Sequence, residues 1–215
     1  MIREALGAIR LVRAHPVLSW YLATEGVGTL AWSAAFRVGL VLLVARTLGA
    51  GVGAYGLLLG AYGISSILAN LVVGSLMIHR QAAALVGARL VLGAGYALVA
   101  VAPVLWVAML GTALAAIGGP LVDITVRTMV QRDLPDDQIG KVYSLEMTVV
   151  YGGAGAGLLL SGPFFAVLGP RGGIAACAAV LIAAGMTGVA RFGWQGLLTP
   201  QPVQRVADTR QYAEE

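Results

Sequence analysis

The chain of 215 residues is 59% hydrophobic and only 11% charged, with a mean hydropathy of +0.85; soluble domains average about 25% charged residues, so the composition excludes one. It points to an all-α, polytopic membrane protein, and at about 20 apolar residues per span the length accommodates about six transmembrane helices. The formal net charge is +4, but the basic residues are scattered along the chain rather than gathered into a stripe, which excludes a nucleic-acid partner.

Residues 1–16 place Ile2, Leu6 and Ile9 at helical spacing between Arg3, Arg10 and Arg13, the pattern of an amphipathic helix on the cytoplasmic membrane surface. Charges persist to Arg13 and no small-residue cleavage site follows, so this is not a signal peptide. A transmembrane bundle is expected over residues 17–194. Its first span, about 17–45, carries Glu25 and Arg37. Gly49, Gly51 and Gly53 form a turn before the second span, in which Gly56 and Gly60 have the small-xxx-small spacing that lets another helix backbone approach. The third span, about 82–102, is interrupted only by Arg89. Pro103 opens the fourth, which runs to about 128 with Asp123 and Arg127 in its final turns.

Pro135-Asp136-Asp137 then signals a turn, and Asp133, Asp136 and Asp137 read as solvated loop charges. The fifth span, about 142–168, begins near Glu146 and contains the glycine-rich run from Gly152 to Gly157, with Gly153 and Gly157 as its packing pair. After the turn Gly169-Pro170-Arg171-Gly172-Gly173, a sixth span, about 174–190, ends at Arg191, with Trp194 as an interfacial anchor. Residues 195–215 hold two prolines, mixed charge and little apolar periodicity, the composition of a disordered polar tail.

The basic residues set the orientation. If both termini share one side, that side holds ten basic residues and the other only Arg46 and Arg171. By the positive-inside rule both termini and the loop around Asp136 should face the cytoplasm of a cell (inner) membrane.

Glu25, Arg89, Asp123 and Glu146 should lie roughly 8–12 Å in from the cytoplasmic helix ends, at about 1.5 Å per residue. Charges within spans face water or pair with one another, and mark transport paths. Arg89 has a second option, snorkelling to the headgroups. Asp123 and Arg127 have the spacing of an intrahelical pair, which would be structural. Glu146 has no base at i+4, so it needs a partner from another helix or a proton, and Glu25 has the same claim. Arg37, twelve positions after Glu25, is about 18 Å along the helix, too far for a direct pair; it is a substrate-facing base or a snorkelling residue. Glu25, Arg37, Arg89, Asp123, Arg127 and Glu146 are thus the candidates for a proton-coupling or substrate path. His15 and His79 sit at helix ends and Cys177 in an apolar run, so no metal-ligand spacing, cofactor motif or catalytic nucleophile emerges.

Arg127, Gln131, Pro135, Gly140, Lys141, Val142 and Ser144 resemble the cytoplasmic segment between helices ten and eleven of major facilitator superfamily exporters of the bacterial drug and siderophore type. The stretch from Glu4 to Pro16-Val17-Leu18 resembles the linker before helix seven of that family. Gly53-Ala54-Tyr55-Gly56-Leu57-Leu58-Leu59-Gly60-Ala61-Tyr62-Gly63 is similar to its helix eight. The resemblance covers about residues 1–192 and matches the C-terminal half of a twelve-helix protein built from two six-helix repeats.

It implies two inverted three-helix repeats and proton-coupled efflux of a small lipophilic molecule, working as a homodimer or with a separate N-terminal half. Met1 falls at the inter-half linker, which suits a split gene product or a piece of a longer one. The segment Gly74-Ser75-Leu76-Met77-Ile78-His79-Arg80-Gln81 departs from the family's gating motif, having no acidic residue and few basic ones. That departure favours a second reading, a non-transporting membrane interaction protein or a truncated remnant.

Overall fold

The computed structural model describes Val12, residues 14–76 and residues 78–199, and these form helices joined by short links. The surface helix expected over residues 1–16 lies mostly outside the described residues; of the tail expected over 195–215, residues 195–198 are helical, continuing the last helix, and those beyond 199 lie outside the described residues. Five helices are long and apolar enough to cross a membrane, giving a multi-pass helical membrane protein.

Helix α1 (Pro16–Thr47) begins with Pro16 in its first turn and His15 as its cap. The His15 ring accepts a hydrogen bond from the Leu18 backbone N–H at 3.4 Å, and proline costs nothing where the helix has no use for its N–H. The helix widens into π turns over Ala34–Gly39 and Leu43–Thr47. Helix α2 is Val52–Ser75, α3 is Gln81–Val101, α4 is Leu105–Ala115, and α5, Gly118–Asp133, continues the same span after a short break. Helix α6, Asp136–Leu198, is interrupted at Gly169 and Gly193, each with φ 66°. Only glycine takes that backbone conformation without steric cost.

Gly169 reverses the chain. Along α1, Tyr21 meets Glu146 and Leu30 meets Gly157, so the first arm of α6 (136–168) runs parallel to α1. Trp20 meets Gly188 and Gly39 meets Ile174, so the second arm (170–192) runs antiparallel to it. The longest helix is therefore two legs, and the start of α1 lies beside the end of the second arm, where the rings of Trp20 and Phe192 meet edge to face at 5.8 Å. Arg171 fastens the reversal by donating to the Ala102 carbonyl at 2.8 Å.

One boundary differs from the sequence expectation. The polar loop between the fourth and fifth spans is reduced to Leu134-Pro135. α5 runs on to Asp133, and α6 starts at Asp136 with Asp136 and Asp137 in its first turn, where acidic residues complement the positive end of the helix dipole. Pro135 stops one helix and leads into the next, so a proline-aspartate turn signature became a helix start.

The interior holds two apolar clusters. One gathers Leu18, Trp20, Leu85, Met129 and Val142 at the His15 end. The other gathers Leu40, Leu43, Tyr96, Ile174 and Leu181 toward the Gly169 end. Between them lies a layer close-packed through glycine: Cβ atoms at Gly153 and Gly157 would strike the backbone of Gly26 and Leu30 in α1, and one at Gly118 would lie 2.9 Å from the Ala88 carbonyl oxygen. Gly56 and Gly60 differ from that pair, because added Cβ atoms there meet nothing within 4 Å. α2 sits at the edge of the bundle, with Ile64, Ile67 and Leu71 exposed.

Replacing Gly157 by leucine should lower the thermal stability of the detergent-solubilised chain by about 1–3 kcal/mol, the usual range for overpacking. Gly60→Leu, whose side chain meets no neighbour, should not lower it. Thermal unfolding curves of the two variants beside wild type check the contrast.

Candidate functional site

Four of the charges singled out from the sequence lie at similar distances from their own helix ends, Glu25 and Arg89 at one level and Asp123 and Glu146 at a neighbouring one nearer the His15 end of the bundle. Glu25 is nine positions after Pro16, Arg89 eight after Gln81, Asp123 ten before Asp133 and Glu146 ten after Asp136. At about 1.5 Å per residue that is roughly 12–15 Å from the helix ends, deeper than expected because α5 and α6 are longer at that end.

The centre of the layer is an ion pair. Arg89 is buried at 4% exposure and does not snorkel; its guanidinium donates to Glu25, itself 7% exposed. Thr29 donates to the other Glu25 carboxylate oxygen at 2.7 Å. Gly28 makes the room, since a Cβ there would lie 2.6 Å from an Arg89 nitrogen. The Arg89 guanidinium also lies 5.9 Å from the centroid of the Tyr21 ring, a cation–π distance.

Tyr21 donates its hydroxyl proton to Glu146 at 2.8 Å, the interhelical partner that Glu146 lacked on its own helix. Ser33 donates to the Ala154 carbonyl at 3.1 Å. Tyr21, Glu25, Thr29 and Ser33 thus form a polar stripe with a spacing of four along α1. Residues four apart share one helix face, so this stripe was readable in the sequence, where only its carboxylate attracted attention.

Asp123 and Arg127 do not form a direct ion pair; the ion pairs among the described residues are Arg89–Glu25, His15–Asp133 and Arg132–Asp133. Both residues are exposed on the side of the bundle where two cavities open. The larger, about 230 Å³, is lined by Glu25, Arg89 and Asp123, by Trp32 and Tyr62, and by Gly28, Gly118 and Gly119 among others. The smaller, about 120 Å³, is lined by Asp123, Arg127, Tyr143, Glu146 and Met147. That is room for water beside polar groups, and the buried Tyr143 hydroxyl has no protein partner among the described residues. Asp123 borders both cavities, so one carboxylate connects the Glu25–Arg89 pair with Glu146.

Arg37 stands apart from this layer. It is exposed in the π segment, and its guanidinium carbon is 5.7 Å from the Trp32 ring centroid. Trp32 stacks on Phe36 at 5.4 Å, and Phe36 contacts Tyr62 at 4.6 Å. This aromatic row joins α1 to α2 beside the larger cavity. Nothing in the composition announced it, because pairing across helices depends on the fold.

A second polar cluster overturns one sequence expectation. Asp133, read as a solvated loop charge, is 2% exposed. His15 donates to it at 3.1 Å through Nε2, its Nδ1 being taken by the Leu18 N–H, and Arg132 donates to it at 2.7 Å. Arg132 also donates to Gln81 at 3.2 Å. The cluster ties the starts of α1 and α3 to the end of α5. Asp133 lies inside the bundle because α5 extends five residues beyond its expected end near 128.

No protein-family model, curated protein or solved structure matches this chain.

Glu25→Gln should destabilise the fold by about 3 kcal/mol, because it leaves a buried arginine without its counter-charge. The double variant Glu25→Gln/Arg89→Leu should recover part of the loss. Equal melting temperatures for the single variant and wild type would show that the pair does not hold α1 to α3.

Proposed function

We propose that this chain is half of a facilitator-type secondary transporter. It carries out proton-coupled efflux of a small lipophilic molecule and works as a homodimer or with a separate N-terminal half. The supporting observation is that α1, α3, α5 and α6 each bring a charged residue to two adjoining cavities that share Asp123. Charges inside spans are costly, about 2.5–3.5 kcal/mol each at a helix centre on insertion scales. Four gathered around two adjoining cavities fit a transport path better than a purely structural bundle.

Asp123 and Arg127 add a second reason. They are exposed on a helix of membrane-spanning length, and hydrocarbon cannot solvate them. The surface they occupy therefore calls for water or for another protein surface, as a central path between two halves would provide. The carboxylates and arginines of the layer give a proton a choice of sites: Glu146 is held by a neutral donor, Tyr21, whereas Glu25 is held by a cation. Glu146 can exchange a proton at less electrostatic cost, so it is the coupling residue and Glu25 the structural one. The membrane orientation, with both termini cytoplasmic, belongs to this reading.

In proteoliposomes with an imposed pH gradient, Glu146→Gln should abolish dye efflux while leaving membrane insertion and melting temperature intact. Efflux by Glu146→Gln at the wild-type rate would remove this residue from the mechanism. A wild-type chain that moves no substrate, alone or with a candidate half, would leave a membrane interaction protein.

A further inference from the structure

On the side of α1 that faces away from the ion pair there is another cavity. It holds about 290 Å³ between α1 and the two arms of α6. Small residues leave the room: Ala31 and Ala34 on α1, Gly157 on the first arm and Ala176 on the second. Val27, Leu160 and Val180 stand at its rim, exposed at the surface of the bundle.

The lining offers a polar ligand little to hold. Ser161 brings its one hydroxyl, which donates to the Leu158 carbonyl of the same helix at 2.6 Å. Cys177 brings a thiol, which in apolar surroundings behaves as a small hydrophobe. The other lining residues are uncharged and apolar, and a water molecule needs about two to four polar partners to stay. The space is therefore filled by hydrocarbon or left empty, and an empty space deprives its walls of packing contacts.

Depth and shape select the hydrocarbon. Val27 to Ala34 lie eleven to eighteen positions after Pro16 and thirteen to twenty before Thr47, so the cavity straddles the middle of a membrane-spanning helix. In a hydrocarbon layer about 30 Å thick, that depth is reached by the terminal segments of acyl chains and not by headgroups. The cavity is elongated along the helices. Its lining covers seven residue steps on α1 and seven on the parallel first arm, Gly157 to Phe164, or about 10 Å at a rise of about 1.5 Å per residue. Toward Gly169 it is closed, because Gly39 packs there against Ile174 and Phe165. A slot that is blind at one end, open at the side and aligned with a spanning helix fits a single extended chain.

We propose that this cavity binds one acyl chain of a membrane lipid by its terminal segment, with the methyl end toward Gly39. The site stands apart from the transport reading, since it shares no lining residue with the two polar cavities. It also differs from ordinary lipid contact on α2, where Ile64 and Ile67 are exposed near the middle of their helix on an open face.

The test uses the full chain in nanodiscs doped with a phosphatidylcholine that carries a diazirine near the methyl end of one chain. The sample is solubilised, washed with lipid-free detergent and irradiated, and the labelled peptides are mapped by mass spectrometry. Ile64 and Ile67 serve as the internal standard for exchangeable lipid. After washing, wild type should retain one lipid per chain in native mass spectrometry. Label at the cavity residues should then exceed label at Ile64 and Ile67 at least about tenfold, the ratio expected of a bound rather than a surrounding chain. Ala176→Phe, whose ring would occupy the cavity, should lose that excess while keeping its melting temperature.

Cavity label that washes away together with the α2 label, or an excess unchanged in Ala176→Phe, would overturn the proposal. A lipid-free dimer in native mass spectrometry would also overturn it, by giving the rim to a second copy of the chain. Should Ala176→Phe not fold, the ratio of cavity to α2 label in washed wild type still decides.

Discussion

An arginine within a membrane span must find a counter-charge or reach water, and here Arg89 finds Glu25. That requirement organises the neighbouring contacts. Gly28 has to be small for the guanidinium to reach across, Thr29 supplies the second oxygen of Glu25 with a donor, and the Tyr21 ring lies beside the charge. About two helical turns of α1 are thus committed to one residue of α3. A buried pair of this kind contributes little net stability compared with apolar replacements. What it does fix is register: α1 and α3 cannot slide by a turn without stranding both charges.

Glycine brings helix backbones together beside the ion pair as well. Backbones approach closely at Gly118 against Ala88, at Gly153 and Gly157 against α1, and, toward the Tyr96 end, at Gly95 against Ala115. Small residues let helices come close when lipid offers no hydrophobic drive between them. Close backbones in turn shorten the reach that Tyr21, Thr29 and Ser33 need to find partners. The glycines and the polar stripe are therefore two parts of one device, and each would be costly without the other.

Much of this was legible in the sequence because bilayer physics reduces folding to length, charge and small-residue spacing. The helices and the reversal at Gly169 follow from those alone. Partners did not follow. Glu25 could have paired with several bases; its bond to Arg89 depends on which faces of α1 and α3 meet. Asp133 was misread because Pro135-Asp136-Asp137 serves equally as a turn and as a helix N-terminus. The choice between them rested on His15, Arg132 and Gln81 converging from three helices. The aromatic row of Trp32, Phe36 and Tyr62 was hidden for a similar reason, since two of its rings belong to α1 and the third to α2.

The glycine pattern carries one more step. Gly56 and Gly60 on α2 have the spacing of a packing face yet look into empty space, as do Gly63 on the same helix and Gly152 and Gly155 on the first arm of α6. These two helices supply Tyr62 and Val150 to the walls of the larger cavity. Glycine destabilises a helix by about 0.8–1.0 kcal/mol relative to alanine, so runs of it facing only lipid would be a cost without a return.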